Sequence, residues 1–248
     1  MQDVSRGVLI FAFNTEAVDY VAIAEQTARL VKHTLGLPVT IITDQEVDNT
    51  FTNVRAGYAG GTAWRNGDRY TAYDVSPYDE TILIDSDYLV LDRSLLTLLD
   101  TTEDYRLQHN GVGNMGVLSL DYVWATAIVF KRTEKTRLLF NLVGRIQRNY
   151  SYYCKLYQLR ERNFRNDYAF AIANNIINGY TPNQSQGIPW PMLTIDKPVK
   201  QIEVNGDMLV VREDMAKFIP RQNLHIIDKD YLQSDLHVKF VDQICTQE

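Results

Sequence analysis

The sequence predicts an α/β protein in which helices flank a mostly parallel central sheet. Three observations support this prediction: a strand, a helix and a second strand follow one another between residues 7 and 44, further apolar runs of strand length occur downstream, and amphipathic helical segments lie between them. The chain has 248 residues, 45% hydrophobic and 23% charged, which allows a substantial core and is unlike disordered or fibrous proteins. No apolar run approaches the roughly 20 residues of a membrane-spanning helix.

The N-terminal segment has the pattern of a βαβ unit. An apolar run over residues 7–13 predicts a buried strand that ends at Asn14 and Thr15. The segment "LPVTIITD" predicts a second strand that finishes at Asp44. Between them, Gly36 stands where a glycine would end a helix whose apolar residues recur at spacings of three and four: Val21, Ala24, Ala28, Val31 and Leu35. The two strands should therefore be parallel, with a right-handed crossover.

The rest of the chain continues the alternation of strands and helices. Residues 45–72 predict a loop, "ETILIDSDYLV" a third strand with its exit, and "DRSLLTLLD" a helix capped by Ser94. The glycine-rich "YRLQHNGVGNMGVLSLD" predicts a flexible segment or a hairpin, followed by a strand at "VWATAIVF" and a helix that Thr133 opens. A further helix is predicted at "NDYAFAIANNIING". In "IEVNGDMLVV", Asn205 and Gly206 suit a type I′ hairpin turn.

Two composition features bear on location and partners. The two cysteines, Cys154 and Cys245, lack metal-ligand spacing and predict free thiols in a reducing compartment. The N-terminus has no basic region before its short apolar segment, so we expect a cytoplasmic protein rather than a secreted one. The net charge is −6, yet residues 131–165 contain ten Lys and Arg against two acids. Such a block indicates either an anionic partner or a solvated helix face.

Two carboxylates follow the third strand. Asp85 and Asp87, in "TILIDSD", stand where ligands bind in open α/β sheets, beyond the carboxyl end of a strand. Residues i and i+2 of an extended segment point to one side, and converging carboxylates repel unless they share a proton or a cation. Mg²⁺ and Mn²⁺ take oxygen ligands, often one or two carboxylates together with substrate phosphates. The alternative is that both acids serve as turn or capping residues after a strand.

The segment "SPYDETILIDSDYLVL" resembles the acidic-motif segment of nucleotide-sugar-dependent glycosyltransferases of the GT-A fold, especially the glycogenin-like and galactosyltransferase-like group and phage-encoded members. Weaker matches are "GVLIFAFNTEAVDYV", "LPVTIITD", "VWATAIVFKRTEKTRLLF" and "RNDYAFAIA". The resemblance implies a GT-A type, Rossmann-like sheet in one domain over residues 1–248. Residues 1–120 would form the nucleotide-sugar-binding half, and residues 121–248 the acceptor-side half with the C-terminal segment. A phage-encoded member would act in the host cytoplasm.

The resemblance also implies a divalent cation, Mn²⁺ or Mg²⁺. Asp85 and Asp87 would hold this ion, with Asp85 also able to reach the donor ribose. A late histidine supplies the third metal ligand in the family, and His237 in "SDLHVKF" is the expected residue. The family's glycine and "KPW" do not follow it here, and His225 in "NLHIID" is its competitor.

Further residues are implied to bind the donor, expected to be a UDP-sugar. Asn14 and Thr15 match the loop that receives the base, and Asp44 stands where the second strand would meet the nucleoside. Arg69 and Lys239 would place positive charge on the donor phosphates, where the metal also acts as a Lewis acid on the leaving diphosphate.

Asp167 matches the acidic residue that the family carries near its reaction centre. If configuration is inverted, Asp167 would act as the base that takes the acceptor proton. If configuration is retained, Asp167 would position the sugar. The alternative is that Asp167 is an ordinary acidic residue in the first turn of a helix, where the helix dipole favours a negative charge.

The acceptor is open at the level of sequence. In residues 131–165 tyrosines interleave with Arg and Lys, which is typical of a nucleic-acid groove, and double-stranded DNA carrying a hydroxymethylated pyrimidine is one candidate. Saccharide and protein acceptors are alternatives, as is a solvated helix with its tyrosines packed inward. Other classes also remain: a nucleotidyltransferase, although "FNTEAVDYV" lacks the glycine-rich triphosphate loop, and a non-catalytic sugar-nucleotide-binding module.

Overall fold

The computed structural model describes residues 4–55, 68–114, 121–159, 163–181, 183–196, 198–199, 201–205, 208–212, 216–220 and 222–246. Its strands are β1 (Arg6–Phe11), β2 (Val39–Thr43), β3 (Thr52–Arg55), β4 (Glu80–Ile84), β5 (Tyr88–Leu89), β6 (Tyr105–Asn114), β7 (Asp121–Lys131), β8 (Thr194–Ile195), β9 (Gln201–Asn205), β10 (Met208–Arg212), β11 (Ala216–Pro220) and β12 (Leu224–Ile226). Its helices are α1 (Tyr20–Leu35), α2 (Ala72–Val75), α3 (Ser94–Leu99), α4 (Glu134–Arg148), α5 (Tyr150–Leu156), α6 (Asn166–Ile177), α7 (Lys229–Leu232) and α8 (Asp235–Cys245), with short 3₁₀ helices at Asp68–Thr71 and Gln184–Gln186.

The chain divides into two compact units. The β1 unit comprises Gly7–Trp64, Asp85–Thr97 and Met192–Glu248, and the β4 unit comprises Met1–Arg6, Arg65–Ile84 and Leu98–Pro191. Both contain strands and helices, so the predicted α/β class is confirmed. No helix within the described ranges has the length and apolar character needed to cross a membrane.

In the β1 unit, the predicted βαβ unit is confirmed. Strands β1 and β2 are parallel, with Ile10 opposite Ile41, and β3 continues the parallel set beside β2. Helix α1 connects the first two strands: it starts after Asp19, whose carboxylate accepts a hydrogen bond from the Ala22 N–H at 3.0 Å, and it ends at Gly36. Gly36 has a φ of 69°, a left-handed conformation that favours glycine, as the sequence predicted.

Two smaller sheets complete the β1 unit. Strand β12 lies between β5, to which it is antiparallel, and β8, to which it is parallel. Strands β9, β10 and β11 form an antiparallel sheet, which confirms the predicted hairpin. Asn205 is the last residue of β9 and pairs with Met208, so residues 206 and 207 connect the strands. Gly206 lies outside the described residues, and the predicted turn type therefore stays a prediction.

In the β4 unit, the strands are antiparallel. Strand β7 pairs with β4 on one side and with β6 on the other, and the pairing of β6 with β7 confirms the hairpin alternative for the glycine-rich segment. Helix α4 begins after Thr133, whose hydroxyl accepts from the Thr136 N–H, as predicted. The Phe140 ring on α4 lies 4.9 Å from the Phe130 ring and 5.5 Å from the Phe170 ring, between centroids, which fixes α4 against β7 and α6.

Candidate metal centre

Two short strands of the β1 unit, β5 and β12, bring a histidine to the two predicted carboxylates. Asp85 and Asp87 lie between β4 and β5, and β5 pairs with β12 so that Tyr88 is opposite His225. The Ile226 N–H donates to the main-chain oxygen of Asp87 at 3.0 Å, and the Tyr88 N–H donates to that of Asp85 at 3.2 Å. These main-chain hydrogen bonds fix the backbone positions of Asp85 and Asp87 relative to β12. They thereby determine which β12 residue lies beside the two carboxylates.

The side chains of Asp85, Asp87 and His225 form a group with the dimensions of a metal site. One ligand atom from each lies within 4.8 Å of the others, and His225 Nε2 is 3.5 Å from Asp87 Oδ1. Octahedral ligands at about 2.1 Å from an ion would be about 3 Å apart when adjacent and about 4.2 Å when opposite. The three side chains could therefore hold one divalent cation after small side-chain adjustments.

Lys229, the first residue of α7, is a fourth member of this site that the sequence prediction missed. Its ammonium donates to Asp87 Oδ2 and, at 3.1 Å, to the main-chain oxygen of Ile227. The Lys229 side chain is 21% exposed and the Asp87 side chain 12% exposed, so this ion pair is largely shielded from water. The available signal was a lysine four residues after His225 in "LHIIDK".

The electrostatics of the site keep Asp87 ionised. Burial opposes the charge, but the hydrogen bond and charge of His225 together with the Lys229 ammonium outweigh it, and the pKa of the Asp87 carboxyl lies well below its usual value. Burial also acts to lower the pKa of His225, while the bond to Asp87 and the charges of Asp87 and Asp85 raise it above its usual value. The result is a charged Asp87 carboxylate that faces the buried His225 imidazole and the Lys229 ammonium.

His237, the histidine that the sequence favoured, does not belong to this group. It lies on α8, fully buried, with its ring centroid 5.4 Å from that of Tyr231 and 6.3 Å from that of Phe240. Neither ring nitrogen has a hydrogen-bond partner among the described residues, and burial lowers the pKa of His237 to about 4. Among the described residues it is His225, the competitor, that lies beside the two carboxylates, while the identity of the third ligand stays a prediction. Lys239, two residues further along the same helix, is exposed, and its predicted contact with diphosphate stays a prediction.

The predicted base-binding residues also lie in the β1 unit, where they support the loop after β1. Asn14 Oδ1 accepts from the Val21 N–H at 2.9 Å, and Thr15 Oγ1 accepts from the Val18 N–H at 3.1 Å. Both side chains thereby order the approach to α1. Asp44 follows β2 and is half-buried. The roles of all three in binding a nucleoside stay predictions.

Two other predicted residues belong to the β4 unit. Arg69 lies in the first 3₁₀ helix and is 6% exposed. Asp167 is in the first turn of α6, and its Oδ1 accepts from the Ala125 N–H of β7 at 2.8 Å. The β6–β7 register shifts between Leu107, opposite Ile128, and Gln108, opposite Trp124, so Ala125 has no regular partner on β6. Asp167 therefore has a structural role, which is to accept the hydrogen bond of the Ala125 N–H. Its catalytic role stays a prediction.

In the basic segment 131–165, several tyrosine rings and basic side chains are engaged within the protein, so fewer are available to an external partner than the composition suggested. Three of its tyrosines are buried, namely Tyr150, Tyr153 and Tyr157, whereas Tyr152 is 61% exposed. Several basic side chains have partners within the β4 unit, namely Lys131 with Glu80, Arg132 with the carbonyl oxygens of Ser76 and Tyr78, and Arg137 with Glu134. Arg160 and Arg162 lie outside the described residues. Over its described part, the segment resembles the predicted alternative of a helix face with inward tyrosines.

Comparison with known proteins gave matches among solved structures alone. No protein-family model and no curated protein matches the chain. Similar structures include the glycosyltransferase GlyE of Streptococcus pneumoniae TIGR4, at 14% identity and a TM-score of 0.43 over 74% of this chain and 44% of that chain. A galactosyltransferase, LgtC, in complex with donor and acceptor sugar analogs, matches at 13% identity and a TM-score of 0.43 over 68% of this chain and 70% of that one.

The WbbM bifunctional glycosyltransferase matches at 14% identity and a TM-score of 0.37, over 57% of this chain and 35% of that one. This chain thus spans less than half of the length of GlyE and of WbbM. Each of these structures is a glycosyltransferase by name. The TM-scores are all below 0.5, so the likeness by itself identifies neither the activity nor the substrate of this chain.

Proposed function

We propose that this chain is a metal-dependent glycosyltransferase, which moves a sugar from a nucleoside diphosphate sugar, expected to be a UDP-sugar, to an acceptor hydroxyl. The observation that carries the proposal is the convergence of Asp85, Asp87 and His225 at the exit of β4. That segment is also the one whose sequence resembles the metal-binding motif of nucleotide-sugar-dependent glycosyltransferases. Sequence and geometry thus support the same two carboxylates, and the geometry adds His225 to them in place of the expected His237.

The side chains of the group suit Mg²⁺ or Mn²⁺. Two carboxylates provide hard oxygen ligands, and one imidazole is tolerated by Mn²⁺. Such an ion supplies Lewis-acid stabilisation of the diphosphate as it leaves the sugar. Asp87 is prepared for ligation because its carboxyl is ionised, and Asp85 adds a second negative charge. Lys229 adds a positive charge beside the ligands, where it can interact with a donor phosphate.

The acceptor side of the proposal rests on the sequence. Asp167 as a base or as a sugar-positioning residue, and duplex DNA as the acceptor, stay predictions from the resemblance and from the basic composition of residues 131–165. The inward tyrosines and the internal partners of several basic side chains give DNA no added support over a saccharide or protein acceptor.

A donor screen tests the proposal. The protein is incubated with Mn²⁺ and a panel of nucleotide sugars, and release of nucleoside diphosphate is measured for the wild type and for Asp87→Asn and His225→Gln. We expect release with one class of donor, reduced about 100-fold or more in Asp87→Asn because the ionised ligand is lost. Asp242→Asn, which removes an exposed carboxylate on α8, is the matched control and should retain the rate.

Three results would oppose the proposal. Release that does not require a divalent cation, or that survives in Asp87→Asn, would remove the metal centre from the reaction. Release of pyrophosphate from a nucleoside triphosphate would instead favour a nucleotidyltransferase. Binding of nucleotide sugar without any turnover, in the presence of every acceptor class tried, would favour a non-catalytic module.

A further inference from the structure

Asp87 already has a cation within hydrogen-bonding distance, and that cation belongs to the protein. The Lys229 ammonium donates to Asp87 Oδ2, while Asp87 Oδ1 faces His225 Nε2 at 3.5 Å. A carboxylate has two oxygens, and in this arrangement both are directed at groups of the chain. A divalent ion bound by Asp87 must therefore share the carboxylate with Lys229 or displace it.

The carboxylate is the fixed partner of this ion pair. Its main-chain oxygen accepts from the Ile226 N–H of β12, and the residue before it is held by Thr27, whose hydroxyl donates to the Ser86 main-chain oxygen at 2.5 Å. The ordered segment between β4 and β5 leaves Asp87 little freedom to turn away. An incoming ion meets the carboxylate in its present position.

The ammonium is the movable partner. The main chain of Lys229 is held because Asp228 caps α7, accepting from the Asp230 and Tyr231 N–H groups with one oxygen and from the Val199 N–H with the other. Beyond this anchored main chain, four methylene groups separate Cα from Nζ, and 21% of the side chain is exposed. The ammonium can therefore swing while α7 stays in place.

We infer that Lys229 is a built-in counter-ion that competes with the divalent cation for Asp87 and is released toward the donor diphosphate when the ion binds. This inference rests on the proposed function, since it concerns the same metal centre. Without nucleotide, the metal has to displace an ammonium and then tolerate a positive charge nearby. With nucleotide present, the diphosphate offers the displaced ammonium a new anionic partner. Metal and nucleotide should therefore bind with positive cooperativity, and Lys229 is the residue that couples them.

Calorimetric titration of Mn²⁺, with and without UDP, tests the coupling without relying on activity. Lys229→Met should bind Mn²⁺ about tenfold or more tightly than the wild type in the absence of nucleotide, because one nearby positive charge is gone. The tightening of Mn²⁺ binding by UDP should be smaller in this variant than in the wild type. Lys229→Arg, which keeps a charge, should stay close to the wild type. Lys32→Met, which removes an exposed lysine of α1, controls for the change in net charge.

Unchanged or weaker Mn²⁺ binding by Lys229→Met, in folded protein, would overturn the inference and would identify Lys229 as a supporting partner of the ligand. Circular dichroism checks the fold, and Lys229→Gln carries the same test if the Met variant does not fold. Asp87→Asn separates this failure from that of the proposed function. If Asp87→Asn binds Mn²⁺ as the wild type does, or if none of the proteins binds it, the metal centre itself is wrong and the inference falls with it.

Discussion

At the scale of single residues, two histidines of the same β1 unit have opposite environments. His225 faces the carboxylates of Asp85 and Asp87, which raise its pKa, whereas His237 is enclosed by the rings of Tyr231 and Phe240, and burial lowers its pKa. A histidine beside anions can serve as a ligand or a cation. A histidine in an apolar enclosure is neutral and contributes chiefly to packing.

His237 should make folding stability depend on pH. The unfolded chain protonates this residue near its ordinary pKa of 6.5, and the folded chain near 4. Above pH 6.5 both states are neutral and the residue adds no pH dependence; between 6.5 and 4, stability falls as pH falls, by up to roughly 1.4 kcal/mol per pH unit. Urea unfolding of the wild type and of His237→Leu at pH 7.5 and 5 measures this. The Leu variant should lose less stability between the two values, and an equal loss would contradict the burial of a neutral imidazole.

Asp167 can be tested for its two roles separately. An amide oxygen can still accept from the Ala125 N–H, so Asp167→Asn should keep the hydrogen bond, whereas Asp167→Ala leaves a strand N–H without it and should cost about 1–3 kcal/mol of stability. Urea unfolding of both variants provides the comparison. Sugar transfer is then assayed in Asp167→Asn: retention of the rate assigns a structural role, and loss of the rate at full stability supports the predicted catalytic one.

The sequence predicts which side chains converge where the residues are close together in the chain. Asp85 and Asp87 were found because both follow one apolar strand within three positions. Lys229 was missed because it reaches Asp87 across 142 residues, a contact that only the tertiary fold creates. His237 was preferred over His225 because the resemblance implies a late histidine as third ligand, yet Ser234 caps a helix there and the His237 side chain is buried.

At the scale of elements, the site depends on short strands. β5 has two residues and β12 has three, and their pairing is what sets His225 against Asp87. Elements of this length have too few residues for a periodic signal, so sequence could not predict β12. By contrast, the sixteen-residue helix α1 shows clear periodicity and a terminal glycine, and its C-terminal end was predicted from both.

The end of α1 provides a prediction about that element. Gly36 has a φ of 69°, and a Cβ built there would meet nothing within 4 Å, so substitution should act through backbone strain alone. We expect Gly36→Ala to reduce the free energy of unfolding by about 1 kcal/mol and Gly36→Asn by less, since Asn tolerates the left-handed region. Thermal and urea unfolding measure both. Equal costs for Ala and Asn would argue against the left-handed end of this helix.

At the scale of the whole molecule, the described site belongs to one of two compact units. The candidate metal centre and the predicted base-binding residues lie in the β1 unit, while Arg69 and Asp167 lie in the β4 unit. The sequence predicts one domain because no linker or composition break divides the chain, and this stays a prediction. Each compact unit draws on three separate stretches of chain. Such interleaving leaves no signal in composition. The basic residues at 131–165 are another feature that composition alone could not interpret. Several of their side chains form ion pairs inside the protein, which only the tertiary structure reveals.

The central claim is that Asp85, Asp87 and His225 hold one divalent cation for a nucleotide-sugar reaction. Crystals grown with Mn²⁺ and UDP, with diffraction data collected at the manganese absorption edge, test it most directly. We expect an anomalous peak within bonding distance of all three side chains, with the Lys229 ammonium moved from Asp87 to a phosphate oxygen. An empty site at saturating Mn²⁺ and UDP, or a manganese ion held by other residues, would contradict it.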